Sequence, residues 1–215
     1  MLKSFIENLK SRQLLQCHTL DNNFDLSTPP IAYIGFDATA SSLHLGNLLG
    51  LIMVRWLRSY NIPVYVLLGG ATTLIGDPSG KDKERQFLDV ETIRSNVNTL
   101  SSFIKAFLDR DTFDTPYYIV DNIDWYKDMS MIEFLRDVGK EFRIGSMLAK
   151  DSVKRRLTGD GMSLTEFCYQ VLQSYDFYFL NQKYGVNLQL GGSDQWGNIT
   201  AGIEYVRRKT NVGLL

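Results

Sequence analysis

Hydrophobic and polar positions along this chain alternate between short apolar runs and longer segments with helical periodicity. The run that begins at Ile31 contains aromatic and β-branched residues and predicts a buried strand, and residues 49–60 then carry apolar side chains at helical spacing. A second apolar run, Val64 to Leu68, predicts the next strand. Strand, helix and strand within about forty residues form a βαβ unit, which implies a parallel sheet. The predicted fold class is therefore α/β.

The remaining periodic segments continue this alternation. Further helices are predicted over residues 89–110, 130–138 and 142–157, then from Ser163 or Thr165, and from a point near Asn198; further strands are predicted from Pro116 to Val120 and from Val186 to Leu190. The N-terminus predicts a short amphipathic helix, which a polar, proline-terminated connector follows. We expect the helix and connector to occupy residues 1–30, and one domain to occupy residues 31–215.

Composition permits a sizeable core and narrows the possible partners. The chain has 215 residues, is 44% hydrophobic and carries a formal net charge of −1, which excludes a globally basic nucleic-acid binder but leaves room for a local basic patch. Cys17 and Cys168 are far apart and lack metal-ligand spacing, so we expect reduced thiols and a cytoplasmic location. No apolar run is long enough to cross a membrane.

Polar and small residues gather in the loop between the first predicted strand and its helix. This loop contains Asp37, Thr39, His44, Gly46 and Asn47. The free N–H groups at a helix start favour an anion, and a glycine allows a phosphate or a flat base to approach the backbone. His44 and Asn47 supply donors one helical turn apart. The pattern favours a phosphate-bearing ligand, although a histidine near a helix start is also common as a surface or capping residue.

Two later segments follow predicted strands in the same way. The second strand leads into GGATTLIGDPSGKDKER, which contains Asp77 and predicts a loop with tight turns, with the cations of Lys81 and Arg85 on an exposed, flexible part. The polar residues after the third strand, from Asp121 to Trp125, are also candidates to line a pocket. Open α/β sheets bind ligands at the carboxyl ends of their strands, which favours a functional role over a solvated surface turn.

The helix from residue 163 carries a polar stripe. Tyr169, Gln173 and Asp176 occupy positions i, i+4 and i+7 and therefore share one face. Such side chains are seldom buried without partners, so the stripe faces either water or a polar ligand. The aromatic neighbours favour the ligand.

The last predicted strand is followed by another glycine loop. Gly191 and Gly192 permit close approach of a ligand to the backbone, and Asp194 can accept hydrogen bonds from ribose hydroxyls. The pattern of strand, glycine loop and helix therefore occurs a second time.

Four motifs, in this order, resemble the tyrosyl-tRNA synthetases: YIGFDATASSLHLGN, GGATTLIGDPSGK, TEFCYQVLQSYDF and LGGSDQWGNITAG. The segment HLGN from His44 to Asn47 resembles the HIGH signature of class I aminoacyl-tRNA synthetases. The resemblance extends from Ile31 to Arg208. It implies a Rossmann-like catalytic domain that activates L-tyrosine with ATP and, in the full-length protein, transfers tyrosine to tRNA(Tyr). It also implies a homodimer, formed through residues 130–157.

The resemblance further implies a role for each matching position. The substrate phenol would bond Tyr33 and Asp176; its ammonium group would lie against Asp77, Tyr169 and Gln173; and its carboxylate would lie near Gln195. The ATP phosphates would contact Thr39, His44 and Asn47, with Asp37 shaping their loop, and the departing pyrophosphate would meet Lys81 and Arg85. The adenosine and ribose would lie against Gly46, Gly191, Gly192 and Asp194. Mg²⁺ would accompany ATP as part of the substrate, and no protein-bound metal is predicted because no carboxylate cluster is present.

Three departures from the family pattern limit these expectations. Asn47 replaces the final histidine of the signature, so it donates a hydrogen bond but carries no proton or charge. The KMSKS loop and the anticodon-binding region are absent from the 215 residues. We therefore expect a truncated catalytic domain that binds tyrosine, forms the adenylate less well and does not charge tRNA efficiently.

Three alternatives remain at this point. A tryptophanyl synthetase is the nearest, but an indole has no need of paired phenol partners. Another nucleotidyl transferase with an HxGx loop accounts for residues 31–60 alone. A non-catalytic RNA-binding or dimerisation module is the third, and the near-neutral charge disfavours autonomous RNA binding.

Overall fold

The computed structural model of the chain describes residues 1–20, 28–79, 87–158, 161–210 and 214. Its centre is a parallel sheet of four strands in the order β3-β2-β1-β4. The strands are β1 (Ala32–Asp37), β2 (Val64–Gly69), β3 (Tyr117–Asp121) and β4 (Leu188–Leu190). The α/β prediction is confirmed, and all four carboxyl ends lie at one edge of the sheet.

Ten α-helices surround the strands in the described part of the chain. They are α1 (Leu2–Ser11), α2 (Leu45–Ser59), α3 (Gly70–Ile75), α4 (Val90–Leu108), α5 (Ile123–Tyr126), α6 (Met131–Glu133), α7 (Ile144–Leu148), α8 (Asp151–Leu157), α9 (Leu164–Tyr184) and α10 (Trp196–Thr210). A π-helical turn at Phe134–Val138 and 3₁₀ turns at Gly139–Glu141 and Ser193–Gln195 complete the set. Within the described helices, none is both long enough and apolar enough to cross a lipid bilayer.

The two faces of the sheet bury different helices because successive strand residues point to opposite sides. Ala32, Ile34 and Phe36 of β1 pack in one cluster with apolar residues of α1, α2 and α4. Tyr33, between them, points to the other face and packs with residues of α9 and α10. The sheet is therefore covered on both sides, and the face of Tyr33 is the one that meets α9.

Two helices differ from the sequence prediction. The glycine segment after β2 was predicted as a loop, but it begins with α3. Its first N–H groups, those of Gly70 and Ala71, donate to the side chains of Asp121 and Asn122 at the end of β3. The single helix predicted over residues 142–157 is two helices, because Lys150 adopts an extended backbone with ψ 137° and separates α7 from α8.

Helix α9 has well-defined ends that agree with its sequence. The Ser163 hydroxyl accepts a hydrogen bond from the N–H of Glu166, and Gly185 ends the helix at a positive φ of 70°. Arg156 of α8 forms a doubly hydrogen-bonded ion pair with Glu166, with both N–O distances at 2.9 Å. This buried pair attaches α8 to the first turn of α9.

Candidate functional site

The candidate site lies where the carboxyl ends of the strands meet the polar stripe of α9. Asp37 ends β1, Asp77 follows β2 and α3, and Asn122 follows β3. Tyr169 and Asp176 of the stripe are buried, so this face of α9 points inward and the solvent alternative is wrong for both residues. The parallel strands bring together residues that are far apart along the chain.

Tyr33 occupies the inner end of the site. Its side chain is 1% exposed, and its ring centroid lies 5.2 Å from that of Phe177. The hydroxyl oxygen has no hydrogen-bond partner among the described residues. Buried polar atoms are nearly always paired, so a free hydroxyl here is expected to belong to a ligand site. Burial, followed by the charge of Asp176, raises the pKa of Tyr33 well above its usual value.

Asp176 of α9 lies at the same end and is also 1% exposed. Its carboxylate accepts hydrogen bonds from Trp125 Nε1 at 2.9 Å and from Asn122 Nδ2 at 3.1 Å. Burial raises its pKa to about 7, although these donors act in the opposite direction. The buried carboxyl is therefore a candidate acceptor for a polar group of a ligand.

Asn122 and Trp125 were not assigned to Asp176 by the sequence, which marked them only as polar or aromatic residues after a strand. Asn122 is fully buried, and its side chain makes three hydrogen bonds. Its Nδ2 lies 3.0 Å from Thr72 Oγ1 and 3.1 Å from Asp176, and its Oδ1 accepts from the N–H of Ala71. Asn122 thus connects α3 to α9 beside Asp176.

The outer part of the site is rich in acceptors. The Tyr169 hydroxyl donates to Asp37 Oδ1 at 3.2 Å. Asp77 is buried and accepts from Gln195 Nε2 at 2.7 Å and from the N–H of Ser79 at 2.9 Å. Burial, followed by the charges of Asp37, Asp77 and Asp176, raises the pKa of Tyr169 well above its usual value. These carboxylates around one hydroxyl create a negative environment that suits a bound cation.

Gln173, the remaining residue of the stripe, bonds Asn198, which the sequence did not indicate as a site residue. Its Oε1 accepts from Asn198 Nδ2 at 2.9 Å, and the same nitrogen lies 3.2 Å from Gln195 Oε1. The sequence had indicated only that a helix begins near Asn198. The position of the polar Asn198 between the apolar residues Trp196 and Ile199 in the first turn of α10 was the available signal.

The residues predicted to bind ATP lie at the open side of the site. Thr39, His44 and Gly46 are exposed, and Asn47 is half-buried. Asn47 Oδ1 accepts from the N–H of His44 at 3.2 Å, so Asn47 caps α2 and its amide nitrogen remains a donor. A Cβ at Gly46 would lie 2.9 Å from His44 Cε1, so the glycine gives the imidazole room to lie over the helix start.

The loop after β4 faces the same open side. Gly191, Gly192 and Asp194 are exposed. Asp194 Oδ2 accepts from Gln195 Nε2 at 2.9 Å, which links this loop to the amino-acid end of the site. Lys81 and Arg85 lie outside the described residues. In the part of the chain that is described, no group of three or more His, Cys, Asp or Glu side chains is arranged to hold a metal ion.

Comparisons with known proteins agree with this geometry. A family model described as "tRNA synthetases class I (W and Y)" matches residues 26–212. The tyrosine–tRNA ligase of Protochlamydia amoebophila is 48% identical over 209 residues, which are 96% of this chain and 49% of the relative. The chloroplastic/mitochondrial tyrosine–tRNA ligase of Arabidopsis thaliana is 46% identical over 210 residues, which are 94% of this chain and 41% of the relative.

Solved structures give the same assignment. A C-terminally truncated mitochondrial tyrosyl-tRNA synthetase of Aspergillus nidulans has a TM-score of 0.84 at 33% identity, and the match covers 98% of this chain and 63% of that chain. A tyrosyl-tRNA synthetase of Archaeoglobus fulgidus, solved with L-tyrosine, has a TM-score of 0.62 at 18% identity, which supports the fold alone. The chain spans about half the length of the curated relatives it matches. On the family match and these identities, the chain belongs to the class I tRNA synthetases of the tryptophan and tyrosine group.

Proposed function

We propose that this chain binds L-tyrosine and ATP and forms tyrosyl-adenylate, as the amino-acid-activating part of a tyrosine–tRNA ligase. The observation that carries the proposal is the buried Tyr33 hydroxyl, which has no partner among the described residues, beside the buried carboxylate of Asp176. A phenol O–H donates to Asp176 and accepts from Tyr33, so one substrate group satisfies both. A phenyl ring would leave the buried Tyr33 hydroxyl unpaired and would bring no donor to Asp176, which costs binding free energy.

The opposite end of the substrate would meet the outer acceptors. In this arrangement the ammonium group of tyrosine lies among Asp77, Tyr169 and Gln173, and its carboxylate lies near Gln195. The hydrogen bonds of Asp77 and of Tyr169 with Asp37 hold two of these groups in place before a ligand arrives. Such preorganisation lowers the cost of ordering the site when the ligand binds.

The reaction proposed needs no nucleophile from the protein. A carboxylate oxygen of tyrosine forms a bond to the α-phosphorus of ATP, the bond from that phosphorus to the β-phosphate bridge breaks, and pyrophosphate departs with the electron pair. Negative charge grows on the phosphates, and His44, Thr39 and Asn47 are proposed to donate to them, which their exposed or half-buried positions permit. Mg²⁺ is proposed to arrive with ATP as part of the substrate, with no protein-built site of its own.

Tryptophan is the second candidate substrate, because the family model covers both amino acids. An indole presents a single N–H donor and no acceptor. It would pair with Asp176 but leave the Tyr33 hydroxyl without a donor or acceptor of its own. The two polar groups at the inner end therefore favour tyrosine.

Calorimetric titration with tyrosine, phenylalanine and tryptophan tests the substrate, first on the chain itself and then on Asp176→Asn. We expect only tyrosine to bind, and the substitution to weaken it strongly. Asp121→Asn serves as a control, because Asp121 bonds the N–H groups of Gly70 and Ile123 rather than Asp176. Equal binding of phenylalanine and tyrosine would overturn the assignment.

We also propose that two copies of the chain form a homodimer. The segment from α6 to α7 exposes five large apolar side chains: Met131, Ile132, Leu135, Ile144 and Leu148. Single apolar residues are normal on a protein surface, whereas a group of this kind is typical of an interface. Light scattering after size-exclusion chromatography should give twice the mass of one chain. Ile132→Lys should reduce the measured mass to that of a single chain. Phe103→Lys, at an exposed residue of α4, should leave the dimer intact. A monomeric parent chain would refute the proposal.

Two further proposals concern the whole protein. Transfer of tyrosine to tRNA(Tyr) is proposed for the full-length protein, on the family match. A cytoplasmic location is proposed on the two free cysteines, Cys17 and Cys168. Salt-dependent binding of tRNA by a chain that binds no tyrosine would instead favour an RNA-binding module.

A further inference from the structure

Asn198 occupies the point where three parts of the amino-acid site meet. Its Nδ2 lies 2.9 Å from Gln173 Oε1 on α9, 3.2 Å from Gln195 Oε1 and 3.1 Å from Ser79 Oγ. The side chain is 8% exposed. An NH₂ group carries two hydrogens, so it can bond two of these three acceptors at once. Asn198 therefore joins α9, the turn before α10 and the segment that follows Asp77.

Donation by Asn198 favours one orientation of the Gln173 amide, whereas the Gln195 amide is also oriented by two carboxylates. With the oxygen of Gln195 turned towards Asn198, its nitrogen donates to Asp77 at 2.7 Å and to Asp194 at 2.9 Å. With the oxygen of Gln173 turned the same way, a second lone pair on that oxygen can accept from a substrate ammonium. Without the Asn198 donor, nothing in these contacts favours this orientation of Gln173.

The backbone beside Asn198 is held from outside the site. The carbonyl of Gly197 accepts from Lys150 Nζ at 2.8 Å and from Gln170 Nε2 at 3.0 Å. Lys150 is the extended residue that separates α7 from α8. Burial lowers the pKa of its ammonium group, which the charge of Glu204 partly offsets. The lysine is therefore partly removed from water to make this contact.

Packing is otherwise incomplete between the α7–α8 region on one side and the site on the other. A cavity of about 30 Å³ is lined by Met147 and Val153 on the side of α7 and α8, and by Ser79 and Asn198 on the side of the site. A space of this size is large enough to hold a water molecule. The bond from Lys150 to Gly197 is thus a direct polar connection between the segments that border this cavity.

We propose that Asn198 is a positioning residue of the amino-acid site, which orients the amide of Gln173, and that Lys150 acts through Gly197 to hold it there. The inference rests on the proposed function, since it assigns the Gln173 amide to the ammonium end of tyrosine. Neither Asn198 nor Lys150 contacts the substrate in this arrangement.

The test compares Asn198→Leu, which keeps the shape but removes the donor, with Asn98→Leu at an exposed position of α4. Calorimetry measures the binding of tyrosine and of 3-(4-hydroxyphenyl)propionate, which lacks the ammonium group. Asn198→Leu should raise the Kd for tyrosine about tenfold and that for the analogue much less, because lost orientation of Gln173 affects only the ammonium. Equal weakening of both ligands, or none, would overturn the inference.

Lys150→Met tests the second step, with the exposed Lys154→Met as its control. The Kd for tyrosine should rise about threefold in Lys150→Met, return towards the parent value in Lys150→Arg, and show no further rise when Lys150→Met is added to Asn198→Leu. Additive effects would show that Lys150 acts independently of Asn198. Circular dichroism shows whether Asn198→Leu folds. If that variant does not fold, the Kd for tyrosine of Lys150→Met becomes the deciding measurement. A parent chain that binds no tyrosine refutes the proposed function itself.

Discussion

The hydroxyl of Tyr33 and the carboxylate of Asp176 interact electrostatically at the inner end of the site without a hydrogen bond between them. The charge of Asp176 raises the pKa of Tyr33, yet the hydroxyl oxygen has no partner among the described residues. Asp176 in contrast accepts from Asn122 and Trp125. One member of the pair is therefore held in place while the other remains unsatisfied, which is the arrangement expected of a site for a hydroxyl-bearing ligand.

Replacing Tyr33 with phenylalanine should have opposite effects on stability and on binding. Loss of an unsatisfied buried hydroxyl should stabilise the free protein by about 1 kcal/mol, whereas loss of a partner for the phenol should weaken tyrosine binding about tenfold. Urea unfolding and calorimetry measure the two effects. Tyr60→Phe is the control, because the Tyr60 hydroxyl accepts from Asn8 and its loss should destabilise the protein. A destabilised Tyr33→Phe variant would contradict the prediction.

The pH dependence of stability should reveal Asp176. Burial raises its pKa from 3.8 to about 7, so between these values the folded chain keeps a proton that the unfolded chain releases. The contribution to stability is therefore complete below the lower pKa and is lost as pH rises towards 7, with a slope of about 1.4 kcal/mol per pH unit. Asp176→Asn cannot ionise. The free energy of unfolding, measured with urea across this pH range, should decline less steeply for the variant. Identical slopes would contradict the assignment of this pH dependence to Asp176.

Gly46→Ala should affect ATP without affecting tyrosine. The added Cβ would lie 2.9 Å from His44 Cε1, so the imidazole must move while the helix, in which alanine is favourable, stays intact. Equilibrium dialysis with labelled ATP and Mg²⁺ should show binding weakened about tenfold, and calorimetry should show unchanged tyrosine binding. Gly145→Ala is the control, since its Cβ would meet nothing within 4 Å. Unaltered ATP binding would remove His44 from the nucleotide site.

The buried pair of Arg156 and Glu166 should be necessary for the position of α9. Arg156→Met leaves the Glu166 carboxylate buried without its charged partner, which should lower the free energy of unfolding by about 3 kcal/mol or more. Arg136→Met removes a pair with Asp137 at the surface, which water screens, and should therefore lower the free energy of unfolding far less. Urea unfolding compares the two variants. Equal losses would show that burial does not decide the energy of these pairs.

Local pattern was sufficient for the parallel α/β fold and for the polar face of α9 that points inward. Strand periodicity, the glycine loops and the spacing of Tyr169, Gln173 and Asp176 on α9 are properties of short segments, so they can be recognised without knowledge of the partners. Because a short segment does not reveal its distant partners, some of the predicted elements were wrong. Helix α3 depends on caps from Asp121 and Asn122, which are about fifty residues away in the chain and bond its first N–H groups.

Amino-acid order by itself determined which residues are candidates to bind the proposed ligands, tyrosine and ATP. Tertiary structure alone decided which of them are neighbours: Trp125 beside Asp176, Asn198 beside Gln173, and Lys150 at the carbonyl of Gly197. The physical reason is that a hydrogen bond is short and directional, whereas helix and strand periods describe one segment at a time. Only the pairing of the strands and the packing of α9 and α10 bring such donors and acceptors within 3 Å of one another.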